Sequence, residues 1–169
     1  PGSGFLPEVC VEWEKATQAA RDQGIRVVNL RIGVVLSRHG GALQKMHVPF
    51  RCGVGGRIGS GRQYWSWVSL PDLIGMVRHA ITTEVMTGPV NAVSPNPVTN
   101  AESTKTLGNV LGRPTIFPVP AFAARLAFGE MASALMLASA RVAPLRLLAT
   151  NYQFQHERLE DALRNTLYD

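Results

Sequence analysis

The stretch RVVNLRIGVVL, residues 26–36, decides the fold. It is rich in β-branched residues and apolar on both faces, which predicts a buried strand of a parallel sheet. Upstream, apolar side chains recur at steps of three and four between Leu6 and Ala20, so we predict an amphipathic helix over 7–22. Gly24 stands where a glycine ends a helix. A helix, a glycine and a buried strand form the second part of a βαβ unit, so we predict an α/β fold.

Short strands and helices alternate along the rest of the chain. Before residue 99 we predict a helix over 42–50 stopped by Pro49, a strand over 64–68 and a strand over 88–94. Between these two strands we predict a helix that begins at Ser69. Its apolar face consists of Leu70, Leu73, Ile74, Val77 and Ile81. From residue 99 onward we predict a helix opened by a capping box at 99–102 and ended by Gly112, a strand over 115–119, helical structure over 120–148 and a terminal helix over 156–167. Residues 1–98 are therefore predicted to form an incomplete parallel-sheet domain and residues 99–169 a small α-rich domain.

The composition is that of a globular protein and excludes several function classes. Of 169 residues, 46% are hydrophobic and 17% charged, with no long apolar run that would cross a membrane. Cys10 and Cys52 do not form a disulfide framework, and we see no secretory signal. We therefore expect a reducing compartment, the cytoplasm or the interior of an organelle. The Cys and His residues lack metal-ligand spacing.

The formal net charge is +5, and many of the basic residues lie between Arg38 and Arg62. Two interpretations stay open: a solvated basic surface, or a patch that faces an anionic ligand such as a phosphorylated cofactor. We expect no nucleic-acid partner, because no nucleic-acid-binding motif is present.

The glycine-rich segment GVGGRIGSG, residues 53–61, is a candidate phosphate-binding loop. A dinucleotide fingerprint needs a strand before the first glycine, a helix after the last, and the spacing G-x-G-x-x-G. The segment lacks that spacing, and an aromatic strand is predicted after it. A P-loop is excluded as well, because no Lys-Ser or Lys-Thr pair ends the segment. We predict a cleft-lining loop on the substrate side that does not hold pyrophosphate.

Several segments carry a family resemblance. GSGRQYWSWVSLPDL (59–73) is similar to the segment of extended short-chain dehydrogenase/reductases that lines the substrate side of their cleft, and residues 26–36 resemble their sixth strand. A narrower resemblance covers nearly the whole chain and rests on FLPEVCVEWE (5–14), LRIGVVLSRHGGAL (30–43), NAVSPNPVTNAE (91–102) and FGEMASALML (128–137). It is to the C-terminal half of epimerase-family proteins with an uncharacterised C-terminal domain, sometimes labelled cell-division-inhibitor-like.

The resemblance implies a Rossmann-like fold that binds a nicotinamide cofactor, which we expect to be NADP, with NAD left open as the alternative. The residues that it places near the nicotinamide are Arg31, Gly33, Val34 and Val35. The residues that it places on the substrate side are Gly59, Gly61, Gln63 and Trp65. Two simpler interpretations stay open: that both valines only pack in the core, and that the arginine only lies on the surface.

The chain departs from the family pattern in three ways. The segment FLPEVCVEWEK (5–15) lacks the Tyr-x-x-x-Lys pair of these enzymes: Phe5 and Val9 have that spacing but cannot transfer a proton. Cys10 and Glu14 have it too, without the same chemistry. Trp65 stands where nucleotide-sugar epimerases carry an arginine for the diphosphate. The glycine-rich turn of the first half is absent, so we expect the cofactor to be bound mainly by a segment that this chain lacks.

From this we predict an NAD(P)-dependent epimerase/dehydratase-like oxidoreductase, of which this chain is the C-terminal portion, with an unknown substrate that is not a nucleotide sugar. The missing dyad leaves open a catalytically weak NADP-binding regulatory or interaction protein. A third alternative is an interaction module unrelated to NADP. Pairing with the missing half, or a homodimer, is expected to cover the apolar face of the first helix, and the chain alone is expected to bind NADP weakly.

Overall fold

The computed structural model describes residues 2, 4–120 and 138–168. In this part of the chain the helices are α1 (Phe5–Ala16), α2 (Gln18–Asp22), α3 (Gly41–Arg51), α4 (Leu70–Thr82), α5 (Asn100–Leu111), α6 (Leu145–Ala149) and α7 (Leu159–Tyr168). The strands are β1 (Val28–Ile32), β2 (Val34–Leu36), β3 (Tyr64–Trp65), β4 (Trp67–Ser69), β5 (Gly88–Ala92) and β6 (Val98–Thr99). The predicted α/β fold is confirmed.

The strand predicted over 26–36 is divided at Gly33. β1 pairs in parallel with β5, from Val28 beside Gly88 onward, whereas β2 pairs in parallel with β4. A Cβ atom on Gly33 would lie 2.5 Å from the carbonyl oxygen of Ser66, so only glycine allows the two segments to approach this closely. The division therefore comes from a contact with a residue distant in sequence.

Other predicted boundaries were also wrong in part. The first helix is interrupted at Thr17, whose hydroxyl donates a hydrogen bond to the carbonyl of Glu14 at 2.7 Å. α3 continues two residues beyond Pro49, because a proline in the last turn of a helix costs only one backbone hydrogen bond. The aromatic segment forms β3 and β4 with Ser66 between them, and β3 pairs antiparallel with β6.

The segments after α5 also differ from expectation. In place of the strand predicted over 115–119, the structure has a single β-bridge between Val119 and Ile58. Residues 138–144 are not helical, and the part of the predicted helical region over 121–137 lies outside the described residues. Among the described residues, we find no helix with the length and apolarity that crossing a bilayer requires.

Two clusters of buried apolar side chains lie on opposite faces of the β2–β4 pair. The first cluster contains Trp67 together with residues of α3, α5 and α7, and Val34 packs against it. The second contains Val68 together with residues of α4, α6 and β5, and Val35 packs against it. Successive residues of a strand point to opposite faces, so each strand supplies both clusters. The first cluster joins residues from both sides of the domain boundary predicted at residue 98.

Most of the apolar face predicted for α4 is exposed, and only Leu73 of that face packs against the second cluster. Ile74 and Ile81 are 63% and 68% exposed, whereas Met76 and Ala80 are buried against the strands. Both sides of this helix carry apolar side chains, and periodicity alone does not say which side faces the sheet. The predicted apolar stripe is thus present, and most of it is exposed in the described part of the chain.

Candidate functional site

A small apolar cavity of about 20 Å³ lies in the first core cluster. Its partly exposed lining residues are Val34, Ala42, Met46, Trp65 and Val98. Its buried lining residues are Leu36, Leu43, Trp67, Ser103, Leu107, Leu159 and Leu163. The structure thus brings together one residue predicted on the cofactor side and one predicted on the substrate side.

The two tryptophans of this cavity differ in their hydrogen bonding. The indole N–H of Trp67 donates to the carbonyl of Asn96 at 2.9 Å. The indole nitrogen of Trp65 is buried and has no hydrogen-bond partner among the described residues. A buried donor without an acceptor costs free energy, and the Trp65 nitrogen is closed to solvent in this structure.

The backbone donors at the break between β1 and β2 are already used. The N–H of Gly33 bonds the carbonyl of Ala92 at 3.2 Å, and that of Val34 bonds the carbonyl of Ser66 at 2.8 Å. A nicotinamide at this point could therefore not receive a hydrogen bond from either group. Val35 does not line the cavity and lies on the other face of the strand. What this loop offers a ligand is the apolar side chain of Val34.

Arg31 is engaged with the first helix rather than with the cavity. Its guanidinium makes a bidentate pair with Glu14, with N–O distances of 2.7 and 2.8 Å. The hydrogen bonds from Arg31 lower the pKa of Glu14, and the carboxylate raises the pKa of Arg31. Glu14 is one of the residues with the dyad spacing, so here this residue acts as an ion-pair partner. The predicted cofactor role of Arg31 stays a prediction.

The glycine loop is anchored to the start of α5. The N–H of Ala101 bonds the carbonyl of Gly61 at 2.9 Å, and the N–H of Asn100 bonds the carbonyl of Gln63 at 2.8 Å. The side chain of Asn100 accepts a hydrogen bond from the N–H of Ile58 at 2.7 Å. Gly59 donates to the carbonyl of Val119 at 2.9 Å.

The loop also packs closely on its neighbours. A side chain at Gly55 would collide with the ring of Phe50, and one at Gly56 with the backbone of Phe117. A strand, not a helix, follows the loop, as predicted. Gly59, Gly61 and Gln63 do not line the cavity, so of the four residues predicted on the substrate side only Trp65 does.

A buried carboxylate that sequence reasoning missed joins the terminal segment to α4. Asp72 is 1% exposed and accepts hydrogen bonds from the hydroxyl of Ser69 at 2.7 Å and from the N–H groups of Gln155 and His156 at 2.7 and 3.0 Å. Burial raises the pKa of Tyr152, whose hydroxyl donates to the Asp72 carbonyl at 2.9 Å, and the Asp72 charge adds to this shift. The first-turn aspartate marked the helix start, but nothing local indicates partners more than 80 residues away.

Ser69, His156 and Asp72 have the residue types of a hydrolase triad, but they cannot act as one. The Ser69 oxygen accepts the Asp72 N–H at 3.1 Å as the helix N-cap, and its own proton is donated to the Asp72 carboxylate. Ser69 is also 1% exposed, so a substrate cannot reach its oxygen. A nucleophilic serine needs an accessible oxygen and a base that takes its proton. The described residues also contain no His/Cys/Asp/Glu group suited to a metal ion.

Residues 119–166 match the family model described as "Domain of unknown function (DUF1731)". The chain is 46% identical over 162 residues to the epimerase family protein Mb2239 of Mycobacterium bovis, and the match covers 96% of this chain and 54% of that protein. The chain therefore spans about half the length of the curated relatives it matches.

Two solved structures are similar in both sequence and fold. The human epimerase family protein SDR39U1 (isoform 2), crystallised with NADPH, matches with a TM-score of 0.80 and 41% identity, over 84% of this chain and 48% of that one. The nucleoside-diphosphate sugar epimerase from Corynebacterium glutamicum matches with a TM-score of 0.79 and 36% identity, over 98% of this chain and 31% of that one. The resemblance predicted from the sequence is confirmed: nearly the whole chain is similar to about half the length of the epimerase family proteins, and its fold matches Rossmann-like structures of that kind.

Proposed function

We propose that this chain forms the nicotinamide-side and substrate-side part of an NADP(H)-dependent oxidoreductase that acts on a small, uncharged carbonyl compound or the matching alcohol. The observation that carries this proposal is that Val34 and Trp65 line the same apolar cavity. These residues come from opposite sides of the cleft that the family resemblance implies. A substrate held between them would lie beside the cofactor.

The choice of cofactor rests on the similarity to the human protein that was crystallised with NADPH. In this proposal the pyrophosphate is bound by a segment that the chain lacks, since the relatives are about twice as long. The ion pair between Arg31 and Glu14 supports this assignment of the pyrophosphate. Arg31 lies near the end of β1, and its guanidinium is already paired with a carboxylate. Bound NADPH would supply hydride to the substrate carbonyl carbon, while a proton goes to the carbonyl oxygen.

The contribution of this chain is to bind and orient. Val34 would contact the nicotinamide ring through its side chain, and Trp65 would face the substrate. No described residue that lines the cavity carries a charge. A nucleotide sugar needs cations for its diphosphate, so we infer a different substrate class from the one named for the Corynebacterium neighbour.

The second candidate function is a catalytically weak NADP-binding protein. It is favoured by the first helix, where no tyrosine is present and Phe5, at the tyrosine spacing, is 77% exposed. None of the described lining residues titrates near neutral pH, so the proton for the substrate oxygen would have to come from elsewhere.

The test is hydride transfer by the full gene product that contains this chain. NADPH absorbance is followed with a panel of small aldehydes and ketones, and with nucleotide sugars as the contrasting class. Consumption of NADPH with an uncharged carbonyl compound supports the first function. Tight NADPH binding with no turnover on any compound supports the second. Failure to retain NADPH or NADH on purification, or in titration, would overturn both.

A further inference from the structure

We propose that the outer side of α4 is an interface through which two copies of the protein pair, with their α4 helices antiparallel across a twofold axis. This outer stripe consists of four aliphatic residues, each at least 40% exposed: Leu70, Ile74, Val77 and Ile81. In the described part of the chain, an open groove on this side is lined by Leu73, Ile74, Val77, Arg78 and Ile81, of which Arg78 alone is charged. The proposal concerns assembly and is independent of the proposed function.

The outer stripe lies on the side of α4 that points away from the strands. On the inner side, Asp72, Met76 and Ala80 are buried, and Gly75 lies against the hydroxyl of Tyr152. Because a helix turns about 100° per residue, the outer stripe is centred about 150° around the helix from these inner residues. Further strands at the edge of the sheet, with the helices that cover them, would lie beside α4 and not on top of it. The partner of the outer stripe therefore comes from outside this sheet.

The spacing of the outer stripe fits an antiparallel helix of the same sequence. Its residues follow at intervals of four, three and four, which is the a/d seam of a coiled coil. These intervals are the same in both directions along the chain. When two such helices pair antiparallel about the middle of the stripe, Leu70 faces Ile81 of the second copy, and Ile74 faces Val77 of the second copy. A surface that is complementary to itself in this way is what a twofold-symmetric dimer requires.

The helix next to α4 also exposes apolar side chains. The end of α6 is joined to α4 by a hydrogen bond of 2.8 Å between Thr150 and His79, and both helices bury residues in the second core cluster. Leu147 of α6 is buried in that cluster, whereas Leu145 and Leu148 are exposed. α6 belongs to the segment that matches the domain of unknown function. The proposed interface therefore combines α4 with a helix of that segment.

The size of this surface predicts a weak and reversible dimer. A standard interface buries about 800 Å² on each partner. Six aliphatic side chains that are already partly buried provide less than this area, and Arg78 at the margin keeps its guanidinium in water. We therefore expect a dissociation constant between about 1 and 100 µM.

The experiment is sedimentation velocity of the full gene product that contains this chain, from about 1 to 200 µM, a range that brackets the expected dissociation constant. Val77→Glu should weaken pairing at least about tenfold, because it places a carboxylate against Ile74 of the second copy. The matched control is Val48→Glu on α3, where the valine is 65% exposed, and it should leave the dissociation constant unchanged. If Val77→Glu does not fold, Ile81→Ser is used, because this side chain is mostly exposed in one copy.

Cysteine cross-linking tests the register of the two helices. The exposed Cys10 and Cys52 are first replaced by serine. A mixture of the Ile74→Cys and Val77→Cys proteins should then form disulfide-linked dimers at least about fivefold faster than either protein alone, because a disulfide needs facing Cβ atoms. Parallel helices would instead favour cross-links between identical variants.

Four results would overturn the proposal. The first is a full gene product that stays monomeric up to about 200 µM, well above the expected dissociation constant. The second is a dimer whose dissociation constant responds to neither Val77→Glu nor Ile81→Ser. The third is a urea midpoint of the monomer that Val77→Glu lowers and Val48→Glu does not, because the outer stripe would then be covered within one copy. The fourth is faster cross-linking between identical cysteine variants than in the mixture.

Discussion

Helices α1 and α5 are both 12 residues long, yet they differ in how many of their residues are buried. α5 buries six residues, and its start is fixed by a complete capping box. α1 buries none of its twelve residues, and Phe5 and Trp13 are 77% and 72% exposed. Both helices have an apolar face, so amphipathicity does not decide which of them is packed.

The difference is one of available partners. α5 contacts α3, α7 and β6, all of which lie in the described part of this chain. α1 contacts α2, and the ion pair of Glu14 with Arg31 joins it to β1. The relatives are about twice as long as this chain, and we propose that a segment of theirs beyond its length covers α1. Substitutions in the packed region around α4 and α5 should therefore change the free energy of unfolding more than substitutions in the α1–α2 arm.

The largest effect is expected at Asp72 in the packed region. Asp72→Ala leaves the N–H groups of Gln155 and His156 and the hydroxyl of Ser69 without their acceptor, in a site from which water is excluded. We expect a loss of about 3–5 kcal/mol in the free energy of unfolding, measured by urea denaturation. The control is Asp22→Ala on the arm, where the aspartate bonds an exposed glutamine, with an expected loss within about 0.5 kcal/mol. Equal losses would mean that the terminal segment is not held by this carboxylate.

The next effect compares one leucine from each helix. Leu107 of α5 is 1% exposed, and Leu107→Ala should cost about 2–5 kcal/mol of unfolding free energy through lost burial and a cavity. Leu6 of α1 is 47% exposed, and Leu6→Ala should cost less than about 0.5 kcal/mol in the chain alone. In the full gene product the cost of Leu6→Ala should rise, if a further segment covers α1. An unchanged small cost there would show that the apolar face of α1 stays in water.

Whether a feature of the fold could be predicted depends on how far apart in the sequence the residues that determine it lie. The N-cap at Ser69, the capping box at Thr99 and the left-handed Gly112 depend on residues within a few positions, and all three were predicted correctly. The division at Gly33 and the partners of Asp72 depend on contacts with residues 33 and more than 80 positions away. A sequence pattern contains no information on such contacts.

The candidate site was predictable only in part, for the same reason. The resemblance gave Val34 and Trp65, which the structure brings to one cavity. It did not give Ala42 or Met46, because their role depends on where α3 lies against the strands. It also placed Arg31 near the cofactor, and the pairing with Glu14 becomes visible only when α1 is placed beside β1.

The smallest effects are expected from two glutamates, one at each helix, whose pKa values are both lowered. Glu102 accepts hydrogen bonds from the N–H and the hydroxyl of Thr99 at 2.7 and 2.8 Å, and these bonds lower its pKa below the ordinary 4.5. Glu14 is lowered mainly by its hydrogen bonds from Arg31. A carboxylate with a lowered folded-state pKa stabilises the protein fully above its unfolded pKa, and the contribution is lost as the pH falls through the folded pKa. Both variants to alanine should therefore flatten the acid side of the stability profile.

The salt dependence of the stability loss distinguishes the two glutamates and shows whether the ion pair fixes α1 on β1. At neutral pH and low salt, Glu102→Ala should cost about 1 kcal/mol, because it opens a capping box. Glu14→Ala should cost less than about 0.5 kcal/mol, because the Arg31 and Glu14 side chains are 56% and 32% exposed and water screens the pair. In about 1 M NaCl the stability loss from Glu14→Ala should vanish, because the Debye screening length is then about 3 Å. The loss from Glu102→Ala should persist, because it is a local hydrogen-bonding effect. The measurement is the urea midpoint of each variant at both salt concentrations, with Glu12→Ala as the control for an exposed i,i+3 pair on the same helix. A Glu14 cost that matches the Glu102 cost and survives salt would mean that the ion pair fixes α1 on β1 firmly, and that this arm is already a packed part of the fold.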